Sequence, residues 1–156
     1  MVDGGKIGVK VIDMLIGEYL HKMDSKGRVI IPAKFREELG DNFVATRGLD
    51  DCLFIFPMQE WENFSKKIAS TPVTNKNARF FSRFFISGAT ESTLDKQGRI
   101  NIPSNLKEYA ELNKDVVVIG LTNRIELWAK ENWDQFLETA EESTEEIASA
   151  MEDLGI

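Results

Sequence analysis

Two aspartates stand four residues ahead of an arginine with a glycine between, in Asp24-Ser25-Lys26-Gly27-Arg28 and Asp95-Lys96-Gln97-Gly98-Arg99. A carboxylate so placed in a turn can accept backbone N–H groups and clamp the guanidinium, which then has less rotamer freedom to lose on binding. An arginine held this way can fork two donors onto guanine O6 and N7, or onto a phosphate. Lys26 at the turn tip, with Lys22 and Lys96 close in sequence, supplies point charges for phosphate contact. The same residues also suit a plainer role, in which each Asp–Arg couple is an ion pair that only defines its turn. Both readings stand for Arg28. They stand equally for Arg99, whose neighbours Asp95, Lys96, Gln97 and Asn101 are less basic.

Catalytic chemistry has little to draw on. His21 is the only histidine, and no Cys/His/carboxylate set has metal-ligand spacing. There is no glycine-rich phosphate loop and no nucleophile elbow. Asp24 and Asp95 could pair as acid and base across a symmetry axis, but each is better explained by its own turn. We expect no catalytic residue, no metal and no cofactor. The single cysteine, Cys52, lies in the apolar run Leu53-Phe54-Ile55-Phe56, which fits core packing and a reducing cytosol. No apolar stretch is long enough to span a bilayer, so a soluble, cytoplasmic protein is expected.

The elements that must position the two motifs come as a duplication. With a shift of 71 positions, Gly17 falls on Gly88, Asp24 on Asp95, Gly27 on Gly98, Arg28 on Arg99, Ile31 on Ile102, Pro32 on Pro103 and Glu37 on Glu108. Further on the shift becomes 73 and then 72, where Trp61 and Phe64 meet Trp133 and Phe136. Two copies of one supersecondary unit in 156 residues must bury their apolar faces on each other. The chain therefore reads as one intertwined globular domain with pseudo-two-fold symmetry: a first repeat over 14–84, a second over 85–156, and an N-terminal extension or artefact over 1–13.

In the first repeat, the pattern predicts a strand from Leu15 to Met23, the Asp24–Gly27 turn, and a short strand ended by Pro32, which opens a helix to Leu39. Strands Phe43–Thr46 and Cys52–Phe56 follow. Pro57 then starts an amphipathic helix with Trp61, Phe64 and Ile68 spaced by three and four. Residues 75–86 read as a helix bearing Phe80, Phe81, Phe84 and Phe85 on one broad stripe and Lys76, Arg79 and Arg83 on another side. Such a stripe belongs to a seam, either between the repeats or between subunits. The second repeat predicts strands 89–94, 99–102, 115–120 and 125–129 and a helix over 104–112. It closes with one helix from Lys130 to Met151 whose acidic far end should fray.

Net charge is −7, yet all the excess sits at the end of the chain. Residues 137–156 hold seven acids and no Lys or Arg, leaving nineteen of each sign in the rest. Between Leu20 and Arg36 the bases Lys22, Lys26, Arg28, Lys34 and Arg36 face only Asp24, a local charge of +4. That patch suits nucleic acid, or is simply a solvated face. The acidic helix, likewise, either holds a basic partner or serves as a solubilising face.

Both copies spell Asp-x-x-Gly-Arg-[Val/Ile]-x-Ile-Pro, wording that resembles the swapped-hairpin modules of AbrB-like transcription factors. The stretches 27–36, 46–50, 87–91 and 94–103 fall in the order found in the duplicated MraZ family, whose resemblance covers the chain from residue 14 onward. It implies an α+β fold, a tandem β-α-β swapped-hairpin barrel with helices after each repeat. It also implies a DNA-binding regulator, a repressor of the division and cell wall gene cluster associated with the nucleoid. The expected partners are double-stranded DNA, through direct repeats in a promoter, and further copies of the chain in a ring, an octamer or dodecamer. By motif position the resemblance carries over to Asp24 and Arg28, with Asp95 and Arg99 as their partners in the second copy. With the neighbouring lysines added for their charge, the expected DNA-facing residues are Arg28, Lys26, Lys22, Arg99 and Lys96, with Asp24, Gly27, Asp95 and Gly98 shaping the turns. An antitoxin-like or scaffolding interaction module of the same fold is the alternative.

Overall fold

The computed structural model describes residues 15–155. The extension expected over 1–13 lies outside the described residues. The first repeat folds as β1 (Leu15–Lys22), β2 (Arg28–Ile30), α1 (Ala33–Leu39), β3 (Phe43–Arg47), β4 (Leu53–Pro57), α2 (Met58–Ala69) and α3 (Lys76–Phe81), which runs into a π-helical turn, Ser82–Ile86. In the second come β5 (Thr90–Ser92), β6 (Arg99–Asn101), α4 (Ser104–Tyr109), β7 (Asp115–Thr122), β8 (Ile125–Ala129), α5 (Lys130–Glu142), α6 (Thr144–Ala150) and a 3-10 turn, Glu152–Leu154.

The repeats exchange strands. β1 of the first repeat pairs antiparallel with β7 of the second along its whole length, and β5 of the second pairs with β3 of the first. The six-stranded sheet has the order β1-β7-β8-β4-β3-β5, a palindrome once repeat-equivalent strands are matched. Its axis runs through the β4–β8 ladder at Phe54 opposite Glu126, and through the separate β2–β6 ribbon at Val29 opposite Ile100. This is an α+β fold, but the expected barrel does not close among the described residues. The β2–β6 ribbon spans three residues a side before Pro32 and Pro103, which lack the N–H needed to extend the ladder, so it stays a second sheet.

Strict alternation along the central strands covers both sheet faces. Leu53, Ile55, Val116, Val118, Ile125 and Leu127 point to a core shared with Val29, Ile100, Phe35 of α1 and Leu106 of α4. Phe54, Phe56, Val117, Ile119 and Trp128 point the other way, beneath α2, the π turn and α5. Cys52 is fully buried in this second core. Burial, then the nearby Glu126 carboxylate, push its thiol pKa well above the usual range, so it remains a neutral packing group.

Two helices depart from expectation. The helix read over 75–86 keeps its start, where Asn75 Oδ1 accepts the Ala78 N–H, but widens at Ser82. The wider turn drives Phe85 into the core and turns its carbonyl to the Thr46 hydroxyl (2.6 Å), while Arg47 Nη1 takes the Phe84 carbonyl (2.8 Å). The single helix read over 130–151 breaks at Ser143 (φ −114°), next to Thr144, whose hydroxyl binds the Ala140 carbonyl at 2.7 Å. Remaining differences are shifts of a few residues at element ends.

Candidate nucleic-acid interface

Each Asp–Arg motif folds into the same closed turn. Asp24 Oδ1 accepts the backbone N–H groups of Lys26 and Arg28, both at 2.9 Å, and its Oδ2 accepts Arg28 Nε at 2.7 Å. In the second copy Asp95 Oδ1 accepts from the backbone of Gln97 and Arg99, and Oδ2 from Arg99 Nε at 2.8 Å. The Gly27 N–H returns to the Asp24 carbonyl and that of Gly98 to Asp95, with φ of +77° and +79° that a side chain would strain. The turns are also tied to each other, since the Gly98 carbonyl accepts the Ile31 N–H and the Gly27 carbonyl that of Ile102, both at 2.9 Å.

That cross-tie converges the two arginines. Arg99 Nη1 lies 3.8 Å from Asp24 Oδ2, the oxygen already holding Arg28 Nε. Both guanidinium groups keep about a quarter of their side-chain surface in solvent. Their Nε edges are committed to carboxylates. The terminal nitrogens of Arg28 form no hydrogen bond among the described residues, which leaves its bidentate edge open.

The other sequence-read bases are placed differently. Lys26 and Lys96 are exposed at the two turn tips, each with an ammonium unpaired among the described residues. Lys22 is not free, since it faces Asp115 across the β1–β7 ladder and pairs with it at 2.6 Å in an exposed, solvent-screened ion pair. Arg36 was counted only in the local charge, yet it lies over the second turn, where a Cβ on Gly98 would sit 2.1 Å from Arg36 Cζ. Its Nε is anchored on the Ile31 carbonyl at 2.9 Å. The surroundings of Arg99 are therefore more basic than its own repeat suggests.

Both clamp carboxyls titrate below their ordinary value, held down first by the backbone N–H groups of Arg28 and Arg99 and next by their side chains; partial desolvation opposes this. A carboxyl depressed by folding stabilises at pH above its unfolded pKa of about 3.9, and that contribution is lost as pH falls through the lower folded value. We expect carboxyl carbon-13 titrations to place Asp24 and Asp95 below an unstructured aspartyl peptide. Ordinary titration of both would mean that the N–H bonds do not persist in solution.

Comparison with known proteins places this geometry in context. The family model described as "MraZ protein, putative antitoxin-like" matches twice, over residues 14–84 and 85–154, so that each match contains one complete clamp. The chain belongs to the MraZ family. It is 70% identical to the transcriptional regulator MraZ of Halothermothrix orenii, 59% to that of Natranaerobius thermophilus and 54% to that of a Thermoanaerobacter species. In each case 143 residues align, covering 92% of this chain and the whole of the relative. Among the described residues no group of three or more His, Cys, Asp or Glu could hold a metal ion, and no helix is long and apolar enough to cross a membrane. The MraZ match thus directs attention to the paired clamps.

Proposed function

We propose that the chain is a sequence-specific DNA-binding transcriptional regulator, a repressor of the division and cell wall gene cluster that binds direct repeats in a promoter as a ring-shaped oligomer. The observation that carries this reading is the meeting of two aspartate-clamped arginines at one Asp24 oxygen. Because Nε is held, the Nη edge meets DNA already oriented, and it matches the O6 and N7 acceptors of guanine in the major groove. Lys26 and Lys96, at the turn tips on either side of the pseudo-dyad, suit phosphate contacts that fix register without reading sequence. Arg36 adds positive potential beside the second turn.

One subunit with so few contacts binds weakly. In a head-to-tail ring each subunit presents its clamps in the same sense, so direct repeats one helical turn apart, about 10 to 10.5 bp, show every subunit the same groove. Linked engagement of two or more repeats raises avidity by roughly 10² to 10⁴. Repression follows where the repeats overlap the promoter.

Fluorescence anisotropy with the DNA upstream of the chain's own gene, across a salt series, tests this. Affinity should fall by about 0.9 log units per log unit of salt for every phosphate neutralised, and a scrambled fragment should bind much less tightly. Lys26→Ala should flatten that slope by about 0.9 for each engaged subunit. An unchanged slope removes Lys26 from the phosphate contacts. Equal affinity for native and scrambled DNA at low salt would sink the whole reading and favour the antitoxin-like, protein-holding alternative.

A further inference from the structure

The aromatic stripe on α3 and the π turn is only half absorbed by the fold. Phe85 is buried and Phe84 is partly covered, but Phe80 remains 59% exposed and Phe81 47%. Phe80 stacks on Phe84, with ring centroids 5.8 Å apart and planes within 10°. Around these rings Arg47, Lys76, Arg79 and Arg83 complete an open notch of about 490 Å³. Arg47 and Arg79 are steadied by the carbonyls of Phe84 and Val73, which orient them without neutralising them. Among the described residues no carboxylate forms an ion pair with any of the four. A concave surface with four uncompensated cations and exposed phenylalanine is built for an anionic partner that also brings apolar surface.

The C-terminal segment has the complementary character. Glu138, Glu141 and Glu142 on α5 and Glu145 and Glu146 on α6 are exposed and form no ion pair among the described residues. Between and beside them Phe136 is 43% exposed and Ile147 50%. Within one chain the two surfaces belong to different wings, since α5 packs on β7 and β8 whereas the π turn packs on β3 and α2. Residues 137–156 hold seven acids and no Lys or Arg to compensate them.

We propose that this notch is the docking site for the acidic α5–α6 segment of a second copy of the chain. The contact joins different surfaces on the two copies, so it is heterologous and propagates head to tail until a ring closes. It deepens the functional reading above, resting on the premise that subunits act together, and names the surfaces that join them. Arg79 and Arg83 face the glutamates while Phe80 and Phe81 cover the apolar residues between them. Burying cation and anion together also removes the repulsion that each surface carries alone.

Native mass measurement of the full chain without DNA tests this independently of any operator contact. Two charge-reversed chains are used, one with Arg79→Glu and Arg83→Glu, the other with Glu141→Lys, Glu142→Lys and Glu145→Lys. Either alone opposes like charges at every joint and should fall from the multimer to the 17.7 kDa monomer. Mixed in equal amounts, the two present opposite charges at every joint and should rebuild the parental particle, which also shows that both are folded. The proposal is overturned if the parent is monomeric, if either variant alone keeps the parental mass, or if mixing leaves monomers. In the last case the notch serves another anion, such as a small phosphorylated ligand.

Discussion

Replacing Arg28 with alanine is expected to abolish the preference for the chain's own upstream DNA while leaving the particle mass and thermal unfolding unchanged. The turn should survive, because Asp24 Oδ1 still accepts the backbone N–H groups of residues 26 and 28 and the carbonyl of Gly27 still accepts the Ile102 N–H. What disappears is one bidentate base contact per engaged subunit, about 1 to 3 kcal/mol each, so two engaged subunits lose about 2 to 6 kcal/mol. That corresponds to a drop of roughly 30-fold to 10⁴-fold, at 1.4 kcal/mol per decade. Arg28→Lys should not restore binding, since a lysine ammonium has neither the fork nor the planar edge that Asp24 orients. Arg99→Ala should cost a comparable amount, because Arg99 meets both Asp95 and Asp24 and lies in the basic surroundings that Arg36 completes. Anisotropy titrations on native and scrambled fragments measure this directly. Normal discrimination by the Arg28→Ala protein would remove the arginine from the reading surface and return the clamp to a purely structural role.

The clamp was legible in the sequence because its chemistry is local. The hydrogen bonds of Asp24 reach only to residues 26 and 28, and those of Asp95 to 97 and 99, so type and spacing were enough to anticipate them. The approach of Arg99 to Asp24 was not legible, because it comes from the cross-tie of the two turns. The same holds for Pro32 and Pro103, which end strands and open helices by losing one donor each. Whatever depends on the strand exchange was hidden. Lys22 looked like a member of the basic patch until β1 paired with β7 and set Asp115 opposite it. Arg36 reads as an ordinary surface residue of α1, and only the crossing of the two turns brings it over Gly98, 62 positions away. Periodicity saw an even helix over 75–86 because it cannot register that Thr46 and Arg47 capture the carbonyls of Phe85 and Phe84 and stabilise a wider turn. Equally, repeated motifs signal two matching halves without saying whether their sheet closes, and closure failed where a three-residue ribbon met proline.

The exchange itself rests on a close approach that predicts the largest loss of stability outside the apolar core. Gly120 of β7 lies opposite Gly17 of β1, and a Cβ at Gly120 would stand 2.6 Å from both Ile16 N and Leu15 C and 2.9 Å from Phe35 Cζ. Gly120→Ala therefore drives a methyl into the backbone of the swapped strand and should cost about 3 kcal/mol or more, at the upper end of overpacking penalties. Phe35 is fully buried and meets Tyr19 of β1 edge to face at 5.4 Å, so it seals the same joint from the other side. Phe35→Ala should cost about 3 to 5 kcal/mol, against a total of about 5 to 15 for a domain of this kind. The two sites distinguish which atoms limit the approach. Were the Phe35 ring the obstacle, Phe35→Leu would relieve Gly120→Ala, and a double-mutant cycle in urea would show favourable coupling of a kcal/mol or more. Because the nearer atoms belong to the backbone of β1, which has nowhere to move while its ladder with β7 is intact, we expect coupling within about 0.5 kcal/mol at fixed protein concentration. Strong rescue by Phe35→Leu would show that side-chain crowding, and not strand-to-strand contact, makes glycine necessary at position 120.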